Sequence, residues 1–407
     1  MLMTEEIRNQ FPALSGTVYG RPLVYLDNAA TAQRPRSVMD CWTSLVSGAN
    51  GNIHRAVHRL AGLATDAYED TRRAVQAFLN ASSPEEIVFT SGATAAVNLV
   101  AFSFGEAFVK EGDEILVSVA EHHSNIVPWQ LLCERKKARL KVLDIHENGA
   151  LAVESLEKQL SPRTKIVAIT HISNVLGLVN PVREIVSICH QKGIPVLVDG
   201  AQGIVHEKVD VRALDCDFYV FSGHKLYAAT GTGVLYGKRK WLEAMPPYMG
   251  GGEMIEHVSF EKTTFAPLPE KFEAGTQNFN AVPTLVPAMA FAKACREDEA
   301  LQKQQRAILE YVYGQLTQNE LLTLYGRPIE SKVPLFSFAV KGAHHEDLAL
   351  ILDKMGIAVR SGQMCAEPLM DRLGVTGLLR ASFAPYNTME EAEYFIKSLN
   401  KAVHMLV

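Results

Sequence analysis

Short runs of aliphatic and β-branched residues recur through the first two thirds of the chain, each ending on small or polar residues. Segments 23–26, 87–90, 115–119, 165–170, 196–198 and 218–221 are of this kind. Apolar runs of this length, bounded by turn formers, read as strands buried in a sheet. Between them lie stretches of helical period. Residues 4–11 predict a short helix, and 64–79 a longer one with Tyr68, Val75 and Phe78 on one apolar face. A further helix carrying Val97, Val100 and Phe102 opens at Ser91-Gly92-Ala93-Thr94. Such alternation predicts a mostly parallel sheet covered on both faces.

After Tyr236 the pattern loosens. Gly250-Gly251-Gly252 begins a long polar excursion through Pro269, and 283–317 reads as helical material. A C-terminal α+β region follows, with strands at 335–340 and 358–360 and a last helix at 389–404. The predicted division is a large domain over 21–285, and a small one made of 286–407 joined by 1–20. A chain of 407 residues is long enough for two such cores.

Composition narrows the function classes. Hydrophobic residues make up 47% and charged residues 21%, ordinary for a soluble globular protein. The net charge of −5 argues against a nucleic-acid surface, and the basic runs 135–141 and 238–240 read as solvated helix ends or turns. The polar start MLMTEEIRNQF does not read as a signal peptide. No apolar run approaches the roughly 20 residues of a membrane span. Six scattered cysteines form neither a disulfide framework nor a CxxC pair. Cys41, Cys133, Cys189, Cys216 and Cys295 read as buried or inert, and the expected compartment is the cytoplasm.

Candidate chemistry concentrates at 196–227. One strand runs into Asp199, and a second into Ser222-Gly223-His224-Lys225. In parallel α/β sheets ligands sit outside the carboxyl ends of the strands, so Asp199 and Lys225 are expected to face one site. A partly desolvated lysine can form a Schiff base with an aldehyde. Pyridoxal 5'-phosphate (PLP) is such an aldehyde, and its ring nitrogen needs an acidic partner. Ser222 and His224 are placed to donate to its phosphate. These residues alone also fit a surface salt bridge beside an ordinary Ser-Gly turn. The Ser91–Thr94 turn likewise fits either a phosphate cradle or a simple helix cap.

VDGAQ followed by DFYVFSGHKLYAATGTGVLYG resembles the PLP-lysine region of the cysteine desulfurases, within the fold-type I aminotransferase superfamily. The resemblance is greatest to group II, the SufS and CsdA type, which supplies sulfur for iron–sulfur clusters. It runs from Phe11-Pro12 to 380–388. It implies an α/β fold-type I transferase, with a mostly parallel seven-stranded sheet in the large domain and a smaller α+β C-terminal domain.

The resemblance also implies roles. Lys225 carries PLP, Asp199 keeps its ring nitrogen protonated, and Gln202 reaches its phenolic oxygen. His122 stacks on the ring and handles protons, while Asn174 makes a polar contact; His123 helps hold the loop. Thr94, with Ser222 and His224, serves the phosphate. Thr276 of FEAGT reaches the partner subunit's phosphate site and His54-Arg55 lie near the partner's active site, which implies a homodimer. The YLDNAATA turn, with Ala29, lines the substrate side.

A second reacting centre lies at 360–369. A lone cysteine is by default buried, but a glycine, polar flanks and a following proline place Cys365 in an exposed loop. The segment resembles the group II nucleophile loop. Cys365 then takes sulfur from L-cysteine as a persulfide and alanine leaves. Arg380 grips the substrate carboxylate with its planar fork, assisted by Arg360 and Asn174. A free thiol with pKa about 8.5 is only a few per cent ionised at neutral pH, so cationic neighbours are needed; Arg360 and His122 are the candidates. An acceptor protein of the SufE or SufU type is expected to collect the sulfur.

The sequence departs from relatives at Ala228-Ala229, at Ala93 and Ala95, and at Gln363-Met364 before the cysteine. These departures bear on the dimer interface and on acceptor choice. A selenocysteine lyase acting on L-selenocysteine shares fold, cofactor and loop and is the nearest alternative. A non-catalytic PLP-binding scaffold requires a missing catalytic group, and none of the five principal residues is missing.

Overall fold

The computed structural model describes residues 4–327 and 329–407. Seven strands form the central sheet: β1 (Ile87–Thr90), β2 (Glu114–Ser118), β3 (Arg139–Leu143), β4 (Thr164–Thr170), β5 (Val196–Asp199), β6 (Phe218–Ser222) and β7 (Gly233–Gly237). Their order is β1-β7-β6-β5-β4-β2-β3, and β7 runs against both its neighbours. The pairs of β2 with β3 and β4, β4 with β5, and β5 with β6 are parallel. Every residue of β5 and β6 is buried. Burial on both faces explains why these strands read as continuous apolar runs. β3 is one of the two edge strands, and Arg139 and Lys141 blunt it. The basic run beside it is a helix end whose Arg135 and Lys136 pair with Glu106.

The helix α1 (Arg59–Leu79) begins earlier than its apolar pattern, because the His58 ring accepts from the Ala61 amide at 3.2 Å and caps it. A second helix, α2 (Ala93–Phe108), leaves the end of β1. The helical stretch expected over 283–317 is two helices, α3 (Leu285–Glu297) and α4 (Glu299–Gln318). Asp298 is extended between them, and its carboxylate accepts from the Leu301 amide at 3.0 Å.

The second sheet contains β8 (Leu322–Tyr325), β9 (Leu335–Val340), β10 (Arg360–Gly362) and β11 (Leu378–Ser382), in the order β8-β9-β11-β10. The final helix, α5 (Met389–Leu406), starts on a capping box between Thr388 and Glu391. The strand expected at 358–360 is divided. Ile357–Ala358 pairs in parallel with Val24–Tyr25, and β10 joins the second sheet. Val24 and Leu26 consequently bury in the second core with Phe336 and Phe395. Ile7, Phe11 and Leu14 bury in the large core, where the Phe11 ring lies 4.6 Å from Tyr386 and 5.2 Å from Phe291. Packing therefore crosses the division drawn at residues 20 and 21.

The segment after β4 stitches the two units together. The Val333 amide donates to Gly177 O at 2.9 Å, Val179 to Ser331 O at 2.7 Å, and Ser337 Oγ to Val175 O at 2.6 Å. Gly177 has φ +65°, and a Cβ there would lie 2.7 Å from Leu335 O, so only glycine fits this crossing. The polar excursion carries a hairpin of Ile255–Val258 and Thr263–Phe265 with Phe260 exposed at its tip. Among the described residues no helix is long and apolar enough to cross a membrane.

Candidate active site

Asp199 closes β5, Ser222 closes β6 with Lys225 three residues on, and His122 follows the end of β2. These are carboxyl ends of parallel strands, so the three segments converge. They share one cavity of about 250 Å³ with Thr94 at the start of α2 and with Asn174 after β4. The second unit closes the far wall with Arg360, Cys365 and Arg380, and Ala29 and His224 complete it.

Burial governs the electrostatics. It lowers the Lys225 pKa, with Asp199 opposing, and raises that of Asp199, with Lys225 opposing. Burial, reinforced by the Lys225 charge, pushes His122 down to about 3. His122 is therefore neutral at physiological pH and does not supply the positive charge expected of it beside the thiol. Lys225, Arg360 and Arg380 line the same cavity as Cys365. His224 is pushed down to about 4, again chiefly by burial, and its Nδ1 lies 3.0 Å from Thr31 Oγ1. Ser222 Oγ accepts from the Ala93 amide at 2.8 Å, tying β6 to the N-terminus of α2.

Arg380 is 2% exposed and held on two sides. Its Nη2 donates to Asp27 Oδ1 at 3.0 Å and its Nη1 to Asn174 O at 2.9 Å. Arg360 stands 3.8 Å from Asp27 Oδ2. Cys365 is exposed, whereas Cys133, Cys189, Cys216 and Cys295 are buried and Cys41 is half-buried. Burial raises the thiol pKa of each of those five, which leaves them inert.

Two residues assigned to the site lie apart from this cavity. Gln202 sits behind Ala29, donating to its carbonyl at 2.7 Å, and lines a neighbouring cavity that shares Lys225. Thr276 lines a different cavity with Ser91 and Ala95. His54 and Arg55 form ion pairs with Glu69 and Glu253 at 3.1 and 3.0 Å.

Three acids that the sequence did not single out support the site. Asp27 holds the two arginines. Glu121 is fully buried beside His122 and accepts from the Thr170 amide at 2.9 Å, from Asn125 Nδ2 at 2.7 Å and from the Ser118 hydroxyl. Burial still raises its pKa to about 8. Glu273, within FEAGT, meets Arg72 at 2.7 Å, Tyr68 Oη at 2.9 Å and the Phe89 amide at 2.7 Å. A buried acid invariably needs such partners, but they are remote in sequence. The usable signals were the positions of Asp27 inside YLDNAATA and of Glu273 inside FEAGT.

The family model for aminotransferase class-V matches residues 24–395. The chain belongs to that family. Its relatives within the family include cysteine desulfurases. A probable cysteine desulfurase of Vibrio cholerae is 47% identical over 406 residues, covering 100% of both chains. A cysteine desulfurase of Enterobacter sp. is 46% identical over 404 residues, covering 99% of this chain and 98% of that protein. Among solved structures, the cysteine desulfurase CsdA from Escherichia coli superposes with a TM-score of 0.91 at 38% identity over 100% of both chains. The apo cysteine desulfurase from Thermococcus onnurineus gives 0.93 at 35% identity, covering 100% of this chain and 99% of that one.

PLP is the cofactor of class-V aminotransferases, and the donor set fits it. One cavity offers a buried amine (Lys225), a buried acid (Asp199), a neutral imidazole (His122) and hydroxyls at a helix N-terminus (Thr94, Ser222). These suit in turn an aldehyde, a pyridine nitrogen, a ring face and a phosphate.

Proposed function

We propose that this cysteine desulfurase moves the sulfur of L-cysteine onto Cys365 and releases L-alanine. The observation that carries the reading is the single exposed thiol on the wall of the cavity that also holds Lys225, Asp199 and Arg380. PLP, when bound, supplies an electron sink for charge developing on the substrate Cα. Lys225 would hold the cofactor aldehyde and Asp199 its pyridine nitrogen. Thr94, Ser222 and His224 would take the phosphate, and Gln202 and Asn174 lie in adjoining positions. His122 would stack on the cofactor ring and handle protons there; its Nδ1 accepts from the Ser124 amide at 3.1 Å. Arg380 would bind the substrate carboxylate, with Arg360 and Ala29 on the same wall. Cys365 thiolate attacks the substrate sulfur: the S–S bond forms, the C–S bond breaks, and the carbon takes up a proton to become alanine.

The same reading extends to assembly and destination. A homodimer is supported by exposed apolar side chains Trp42, Val57 and Leu60, and by Thr276, which faces a cavity of its own. Six free cysteines suit the reducing cytoplasm. Sulfur would pass to a protein of the SufE or SufU type for iron–sulfur cluster assembly.

The test is mass mapping of holoenzyme treated with L-cysteine. One added sulfur on Cys365, lost in Cys365→Ser with cofactor absorbance retained, is the expected result. Sulfur on any other cysteine would refute the assignment.

A further inference from the structure

The loop that presents Cys365 has an unusual backbone. Met364 and Cys365 both have φ of 55°. Two successive non-glycine residues in the left-handed region persist only where the surroundings fix them. Three hydrogen bonds from the large unit do so. Asn174 Nδ2 donates to Met364 O at 2.8 Å, and the His123 amide donates to Cys365 O at 2.7 Å. The third runs the other way: the Glu367 amide donates to His123 Nε2 at 2.9 Å. His123 thus grips the chain at the cysteine's own carbonyl and again two residues on, while Asn174 holds the peptide before it. It does not line the Lys225 cavity itself.

We propose that His123 is a positioning residue for sulfur transfer, whose neutral imidazole clamps the Cys365 loop in the conformation that presents Sγ to the cavity. The argument rests on the reading of Cys365 as the sulfur carrier. Because Nε2 accepts, the ring proton sits on Nδ1, and only the neutral ring can make this bond. The backbone half of the clamp is independent of the side chain. Substitution therefore isolates the bond to Glu367. A glutamine carbonyl oxygen reaches about as far as Nε2 and can accept the same N–H, whereas leucine cannot.

The test compares wild-type, His123→Leu and His123→Gln holoenzymes. Single-turnover persulfide formation is followed by mass spectrometry, cysteine binding by the cofactor spectrum, and exchange of the Glu367 amide by deuterium labelling. His123→Leu is expected to slow persulfide formation about 10- to 100-fold, since a displacement on the order of 1 Å costs that much. Cysteine binding should be unchanged and the Glu367 amide should exchange faster. His123→Gln should recover most of the rate and protection. Wild-type speed in His123→Leu, or a His123→Gln protein as slow as His123→Leu, would overturn the clamp. Loss of cofactor loading in His123→Leu would shift the comparison to His123→Gln against His123→Asn, whose amide is too short to reach. Failure of the wild-type protein to form any persulfide on Cys365 would refute the sulfur-carrier reading instead, and the exchange data would still judge the clamp.

Discussion

Arg380 and Asp27 form a 3.0 Å ion pair across 353 residues of sequence, and it anchors the cavity wall that carries Arg360 and Cys365. Asp27 and the Asn174 carbonyl occupy Nη2 and Nη1 of the guanidinium, while buried Nε has no hydrogen-bond partner. An unpaired buried donor is costly in a folded protein. The two bonds that the guanidinium does make hold its plane fixed on the cavity wall. The same Asn174 that receives Nη1 donates to Met364 O, so the arginine and the cysteine loop share a support.

Arg380→Ala is expected to lower kcat/KM for L-cysteine roughly 30- to several-thousand-fold, because losing one partner of a buried charge pair typically costs about 2–5 kcal/mol. Cofactor absorbance should persist, since the proposed role of the arginine is to hold substrate and not cofactor. Lysine at this position keeps the charge without the fork and should recover only a part. Steady-state kinetics beside a cofactor spectrum check this; near-normal kcat/KM in Arg380→Ala would exclude the role.

Glu273 tests the support beneath Thr276. Its side chain and that of Arg72 are each 2% exposed and meet at 2.7 Å. Glu273→Ala leaves the Arg72 charge, the Tyr68 hydroxyl and the Phe89 amide short of their acceptor. Breaking a buried pair from one side costs about 3–5 kcal/mol. The denaturant midpoint of the holoenzyme should fall accordingly. A loss under about 1 kcal/mol, the level of a surface pair, would show that solvent reaches this network.

His171 gives the protein a definite acid response. Burial lowers its pKa to about 4 from the ordinary 6.5, and its Nδ1 lies 3.0 Å from Tyr219 Oη. The unfolded chain therefore binds the proton first as pH falls. Its contribution is complete above about pH 6.5 and is lost progressively towards pH 4, roughly 3 kcal/mol in all. His171→Gln lacks this titration. Urea unfolding at pH 7 and pH 4 should show the wild-type advantage over His171→Gln shrinking by about that amount. A difference independent of pH would contradict it.

What was legible in the sequence was what local chemistry determines. β5 and β6 are buried on both faces, so their runs stood out, and the residues at their ends, Asp199 and Lys225, came with them. The loop around Cys365 announced itself through Gly362 and Pro368. What was not legible is pairing between distant segments. Nothing near Val24 says that it pairs with Ile357, and nothing near Asp27 names Arg380. Glu121 was passed over because an acid between a strand and two histidines looks like an ordinary turn residue; only Thr170, Asn125 and Ser118 around it make it structural. Asp298 carried a readable signal, an acid just before Glu-Ala-Leu, but the surrounding helical period masked the break.

The restrained loop has a consequence for turnover. Cys365 lies between β10, ending at Gly362, and the helix Glu367–Leu373. Asn174 and His123 fix the intervening peptides, so the thiol can meet the substrate but cannot travel with the sulfur. The side chain is exposed, which lets another thiol reach it. Transfer then consists of attack by an acceptor thiolate on the outer sulfur, with the Cys365 thiolate leaving and the persulfide reappearing on the acceptor. L-cysteine alone should give one equivalent of alanine per site in a burst, followed by slow release. Dithiothreitol or a SufE- or SufU-type acceptor should raise the steady rate without changing the burst. Alanine release measured by rapid quench with and without acceptor decides the matter, and fast multiple turnover without any acceptor would show that the loop delivers sulfur on its own.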